Sequence, residues 1–176
     1  KNKKIIGVGE SGLDFYYNHS EASIQKKVFL KHIEASQATS KPLIVHSRNA
    51  EKDTFEILSS EKKNKNFNVL MHCFTGSKEF AHRLIDIDCY FSASGVITFK
   101  KSKELAQTFK SIPNDKILVE TDSPYLSPEP LRGKINVPSN IVHTVKFISI
   151  LKETTDKDVE KFTTNNFQQL FKINIG

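Results

Sequence analysis

Residues 117–125 read ILVETDSPY. Five residues suited to a β-strand run into Asp122, and Ser123-Pro124 then stops the strand. Strand side chains alternate with period 2, so Leu118, Glu120 and Asp122 share one face while Ile117, Val119 and Thr121 share the other. The apolar set can be buried. The opposite face then carries two carboxylates at the strand's carboxyl end, which is unfavourable unless something cationic compensates them. An isolated Asp in this position would read as a cap for the next loop. Here, three more strand-like stretches end on groups that bind cations.

The first is 5–8, which enters Gly9-Glu10-Ser11-Gly12-Leu13-Asp14; alternation puts Glu10 on the face of Ile6 and Val8. Gly7, Gly9 and Gly12 have GxGxxG spacing, but no helix start follows, so this is not a dinucleotide fingerprint. The second, 43–45, ends in His46-Ser47-Arg48, with His46 on the face of Ile44. The third, 68–71, ends in His72-Cys73-Phe74-Thr75-Gly76. His72 shares the face of Leu70, and Cys73 is read as a small buried hydrophobe on the opposite face. A further strand over 89–95 carries no strong ligand, and Ser92 and Ser94 are small enough to leave room beside it.

Between these strands the period changes to that of a helix. Helices are predicted over 21–40, with Ile24, Val28, Phe29 and Ile33 on the apolar side, and over 52–58, 78–86, 103–110, 139–153 and 156–171. Residues 61–66, EKKNKN, are expected to form an exposed polar loop. Pro124, Pro128 and Pro130 hold the chain extended up to residues 131–138, a rigid surface loop that carries Arg132 and Lys134. His32, His82 and His143 fall within helices and are read as surface or structural residues.

At 176 residues the chain can bury one sizeable core and is expected to form a single domain over 1–176. With 26 Lys+Arg against 20 Asp+Glu the balance is modestly basic, which suits a polyanionic partner and equally a solvated lysine-rich face. The two cysteines, Cys73 and Cys89, have neither CxxC nor finger spacing, so a disulfide framework or zinc knuckle is not indicated. A reducing cytoplasmic setting fits. The basic start has too short an apolar run for a signal peptide, and no stretch approaches the length of a membrane span.

Strand and helix alternate with short connections, which predicts a parallel α/β sheet with function gathered at the carboxyl ends of its strands. Four of five strands finish with Glu10, His46, His72 and Asp122. Imidazole and carboxylate are the ligand set of Zn²⁺, Mn²⁺ or Fe²⁺, and Mg²⁺ accepts it with more water. Such an ion would offset the crowded acids, lower the pKa of bound water to about 7, and make hydrolysis the natural chemistry. Asp122, or Glu120 one layer below it, would take the water's proton.

Four ordered blocks, GESGLDFYY at 9–17, PLIVHSR at 42–48, MHCFTGS at 71–77 and ETDSPYLSPEPLRGKINVP at 120–138, resemble the TatD family of metal-dependent deoxyribonucleases. The resemblance implies an α/β (β/α)8 TIM barrel of the metal-dependent hydrolase type that cleaves DNA phosphodiester bonds. It implies divalent ions, Mg, Mn or Zn, two in the complete protein. Glu10, His46, His72 and Asp122 match the family's metal ligands, Asp122 its catalytic base and Arg132 a phosphate contact, while Glu120 stays a second catalytic candidate on the strand geometry. Arg48 is a second candidate for substrate binding.

Two departures stand out. Ser11 occupies a position that is usually apolar, and no His-x-His pair is present, although family members carry one on their first strand. Five strands stand where eight are expected, and such a barrel typically needs about 250 residues. The chain is therefore expected to be the C-terminal five-eighths of a barrel: a fragment, a truncated product, or a chain whose gap a partner closes. No obligate protein partner is indicated. By itself such a chain would expose two strand edges and is expected to bind metal weakly, with little activity. Amide, lactone or ester hydrolysis on the same scaffold and a non-catalytic remnant are the rival readings.

Overall fold

A computed structural model describes residues 2, 4–17 and 19–174. Five strands form one sheet in sequential order, every neighbouring pair parallel: β1 Val8–Asp14, β2 Leu43–Arg48, β3 Val69–Met71, β4 Cys89–Ala93 and β5 Ile117–Val119. Helices α1 Ala22–Thr39, α2 Glu51–Asn64, α3 Lys78–Asp86 and α4 Lys103–Ser111 make the crossovers, and α5 Ile141–Leu151 and α6 Asp156–Phe171 follow β5. The strand order never reverses, so this is a singly wound arrangement, the winding of a barrel rather than of a doubly wound sheet.

Strand alternation divides the side chains between two faces. Leu43, Val45, Val69, Met71, Cys89, Phe91, Ala93 and Ile117 pack beneath the helices with Phe29, Ile33, Leu58, Leu84 and Phe109. Ile44, Leu70, Tyr90 and Leu118 point to the other, inner face, where Phe167, Leu170 and Phe171 of α6 pack against them. Asn166 fastens this helix to the entrance of β5, its side-chain amide donating to the carbonyls of Asn114 (2.8 Å) and Ile117 (2.7 Å). A capping box formed by Thr155 and Asp158 starts α6. No helix among the described residues is long and apolar enough to cross a membrane.

Four sequence expectations need correction. The first strand lies over Val8–Asp14 rather than 5–8, because Ser11 to Asp14 pair with β2 and Gly9, at φ 145°, carries the chain through the step between Val8 and Ser11. An irregularity between Val8 and Ser11 matches three steps of β1 to two of β2. This bulge takes Glu10 off the face of Val8, which packs toward the helices, while Ile6, ahead of the strand, packs on the inner face. Residues 61–64 continue α2 rather than forming a loop; Glu and Lys are good helix formers, and Lys62 and Lys63 suit the carboxyl end of the helix dipole. Ile24 and Val28 are exposed, while Phe29 and Ile33 are buried. The last ladder stops at Val119, so alternation no longer governs Asp122, whose φ is 57°.

Candidate metal centre

Beyond Leu43 the inner row of β2 runs Ile44, His46; beyond Val69 that of β3 runs Leu70, His72; β4 contributes Tyr90 and Ser92, and β5 Leu118 and Glu120. Each strand therefore carries an apolar residue at depth and a polar one toward its carboxyl end. Ser92 leaves the space between β3 and β5 open, and this lets His72 reach Glu120. His72 Nδ1 lies 3.0 Å from Glu120 Oε2, and the Ser92 hydroxyl donates to the same oxygen. Glu120 Oε1 is buried with no hydrogen-bond partner.

Glu10 reaches this row through the bulge in β1. Its carboxylate lies 3.3 Å from His46 Nδ1 and 3.5 Å from His72 Nε2, and Asp122 lies 3.7 Å from His72 Nε2. Gly12 pairs with His46 across the ladder at very close range, since a Cβ built there would stand 1.8 Å from the His46 carbonyl oxygen. Only glycine permits that approach.

Asp14, which sequence reading leaves without a role, completes the cluster. Its carboxylate lies 3.0 Å from His46 Nε2 and accepts the backbone N–H groups of Tyr16 and Tyr17, both at 2.9 Å. The available signal is its place at the end of β1, two residues after Gly12 and on the same face. Burial opposes its ionisation, but the hydrogen bonds from Tyr17, His46 and Tyr16 outweigh burial and lower the carboxyl's pKa.

Four carboxylates thus converge on two imidazoles, and among the described residues their ion-pair partners are His46 and His72 alone. The hydrogen bond to Glu120, against the opposing effect of burial, raises the pKa of His72. Burial raises that of Asp122, and the negative charges of Glu120 and Glu10 add to the rise. His72, Glu120 and Asp122 offer ligand atoms all within 4.8 Å of one another. A buried carboxylate oxygen without a partner, beside an excess of negative charge, is the environment a divalent cation would relieve.

Cys73 departs from its expected place. With φ at 43° it leaves the strand alternation, and its Sγ meets Ser94 Oγ at 3.1 Å, on the side of the cluster. Burial pushes its thiol up to about 12, which keeps the sulfur protonated. Arg48 lies over the rings of Tyr16 and Tyr17, at 4.1 and 4.7 Å from their centroids, and lines a cavity with His72. Arg132 instead stacks on Phe99 at 4.1 Å, in the loop that follows β5. Asn136 braces that loop, donating to the carbonyls of Thr121 and Tyr125 at 2.7 Å each.

The sequence model of the family described as TatD related DNase matches residues 1–172. This chain belongs to the TatD family. As a TatD-family chain it is similar to an uncharacterized metal-dependent hydrolase of Buchnera aphidicola subsp. Acyrthosiphon pisum, 47% identical over 171 residues, with 97% of this chain and 64% of that protein covered. It is 40% identical over 173 residues to the uncharacterized metal-dependent hydrolase YabD of Bacillus subtilis, covering 98% of this chain and 68% of that protein. The crystal structure of YJJV, a TatD homologue from Escherichia coli, superposes with a TM-score of 0.90 at 22% identity, over 98% of this chain and 66% of that one. The TatD-family chain therefore spans just under two thirds of the length of the first of these relatives. The fold class is that of the TatD barrels, present here over five parallel strands.

Proposed function

We propose that the protein is a metal-dependent hydrolase, a deoxyribonuclease that cleaves DNA phosphodiester bonds with activated water. The observation that carries this reading is the unpartnered, buried Glu120 Oε1 inside a cluster of four carboxylates and two histidines. Without a cation that oxygen and the excess of negative charge stay uncompensated, and family membership adds the chemistry.

Glu10, His46, His72 and Asp122 would hold divalent ions, Mg, Mn or Zn and two in the complete protein, with Glu120 reaching the same space. When bound, such ions supply Lewis-acid activation of water and neutralise charge on the phosphodiester. Asp122, its carboxyl raised by burial, accepts the proton of the attacking water. Glu120 fixes the tautomer and plane of His72, and Asp14 does the same for His46. Arg48, beside the His72-lined cavity, and Arg132, on its loop, contact phosphate. In this reading the remainder of the barrel adds further ligands, and the free thiols of Cys73 and Cys89 suit a reducing cytoplasm.

The test is hydrolysis by the natural full-length chain of DNA and of a panel of small amides, lactones and esters, with Mg²⁺, Mn²⁺ or Zn²⁺ and with chelator. Metal-dependent release of nucleotides, abolished by chelator and by His72→Ala, is the expected result. Hydrolysis of amides or lactones without release of nucleotides would place the chemistry elsewhere among metal-dependent hydrolases. No metal-dependent hydrolysis at all would sink the catalytic reading.

A further inference from the structure

A cavity of about 730 Å³ lies between the amino ends of α3 and α4, outside the carboxylate cluster. Its wall carries Lys78, Lys101 and Lys103 against a single carboxylate, Glu104. All three lysines are exposed, and among the described residues none of them makes an ion pair or a side-chain hydrogen bond. A second cavity of about 330 Å³ is lined by His72 and Arg48. Thr75 and Gly76 line both, so the two cavities adjoin, one beside His72 and the other beside the lysines. Unpaired ammonium groups held along a wall favour a ligand with repeated negative charge. On the far side of His72 stand Glu10, Glu120 and Asp122, whose charge disfavours a polyanion there unless cations are bound. Charge therefore changes sign across this face, acidic where the reaction would occur and basic at the groove where the rest of a polyanion would lie.

We propose that the groove lined by Lys78, Lys101 and Lys103 binds the phosphodiester backbone of the substrate strand away from the bond that is cut. This inference rests on the deoxyribonuclease reading and names the residues that would make a polynucleotide a better substrate than a small phosphodiester. The lysines neutralise phosphates without reading bases, so the contact is independent of sequence and weakened by salt.

The decisive measurement is fluorescence anisotropy of a labelled single-stranded oligodeoxynucleotide titrated, in EDTA, with the natural full-length chain and with a triple variant, Lys78→Ala, Lys101→Ala and Lys103→Ala. A charge-matched control replaces Lys63, Lys157 and Lys161 by Ala. The groove variant is expected to bind roughly tenfold more weakly at low salt. Its slope of log affinity against log salt should shrink by about 2, at about 0.7 per phosphate contact on a single strand. Arginine at the three groove positions should restore both. In cleavage assays KM for the oligonucleotide should rise in the groove variant, while kcat and turnover of a small chromogenic phosphodiester stay unchanged. Unaltered binding, or an equal loss in the control, overturns the proposal. If the wild-type protein releases no nucleotides, the deoxyribonuclease reading fails, while the anisotropy comparison still decides whether the groove holds the strand.

Discussion

His72 Nδ1 lies 3.0 Å from Glu120 Oε2, a contact that joins the end of β3 to the end of β5 over the intervening β4. Glu120 thus has one oxygen engaged by His72 and Ser92 and the other buried without a partner. Replacing it by Gln keeps the shape and removes the charge. Glu120→Gln is expected to lower divalent-metal affinity by about 10- to 100-fold, the usual consequence of losing such support, with the circular dichroism spectrum unchanged. Isothermal titration with Mn²⁺ or Zn²⁺ provides the check; unaltered affinity would remove Glu120 from the site.

His72 also sets a pH dependence. Its folded pKa is raised above 6.5, chiefly by the Glu120 hydrogen bond. Its contribution to the stability of the metal-free chain is therefore fully present below pH 6.5 and is lost as pH rises through the raised value. Thermal melts in EDTA should show a falling Tm across that window, and the fall should flatten in Glu120→Gln. Metal affinity should move the opposite way, strengthening as pH rises, because the proton and the cation compete for the same imidazole. A metal affinity independent of pH across that window would contradict this account.

Asp122 behaves in the reverse sense for an acid. Burial and the neighbouring carboxylates raise its pKa above 3.8, so its ionised form burdens the metal-free fold at neutral pH. Asp122→Asn should raise Tm in EDTA at pH 7, on the order of 2 °C once solvent screening is allowed for, and should abolish hydrolysis. An unchanged or lowered Tm would show that its charge is already compensated.

Asp14 divides its two oxygens between His46 and the Tyr16–Tyr17 turn. Asn at this position can still accept the two backbone N–H groups, whereas Ala cannot. Asp14→Asn should weaken metal binding by about 10-fold while leaving the turn intact, and Asp14→Ala should both weaken binding and loosen residues 15–17. Hydrogen exchange at the Tyr16 and Tyr17 amides separates the two; equal protection in both variants would contradict the assignment.

The layering of the sheet was legible in the sequence because alternation is a local property. Ile44 with His46, Leu70 with His72 and Leu118 with Glu120 lie on the face that a period of two assigns them. What failed was whatever depends on backbone that leaves the period. The bulge in β1 put Val8 and Glu10 on different faces, and positive φ at Cys73 and Asp122 took both residues out of the alternation that had placed them. Asp14 escaped notice because Gly12 and Leu13 before it give no strand signal without β2 beside them. The exposure of Ile24 and Val28 was likewise hidden, since a helical stripe shows that a face is apolar and not which neighbour covers it.

The bulge carries a consequence for how this chain can change length. In β2, β3, β4 and β5, inserting or deleting one residue would exchange the two rows, turning His46 or His72 into the helix layer and sending Val45 or Met71 toward the carboxylates. Those strands tolerate changes only in pairs, as a text read two letters at a time does. The stretch from Val8 to Ser11 already holds an odd residue, so β1 is the strand in which the sheet has absorbed a shift of one, and Glu10 owes its position to that shift.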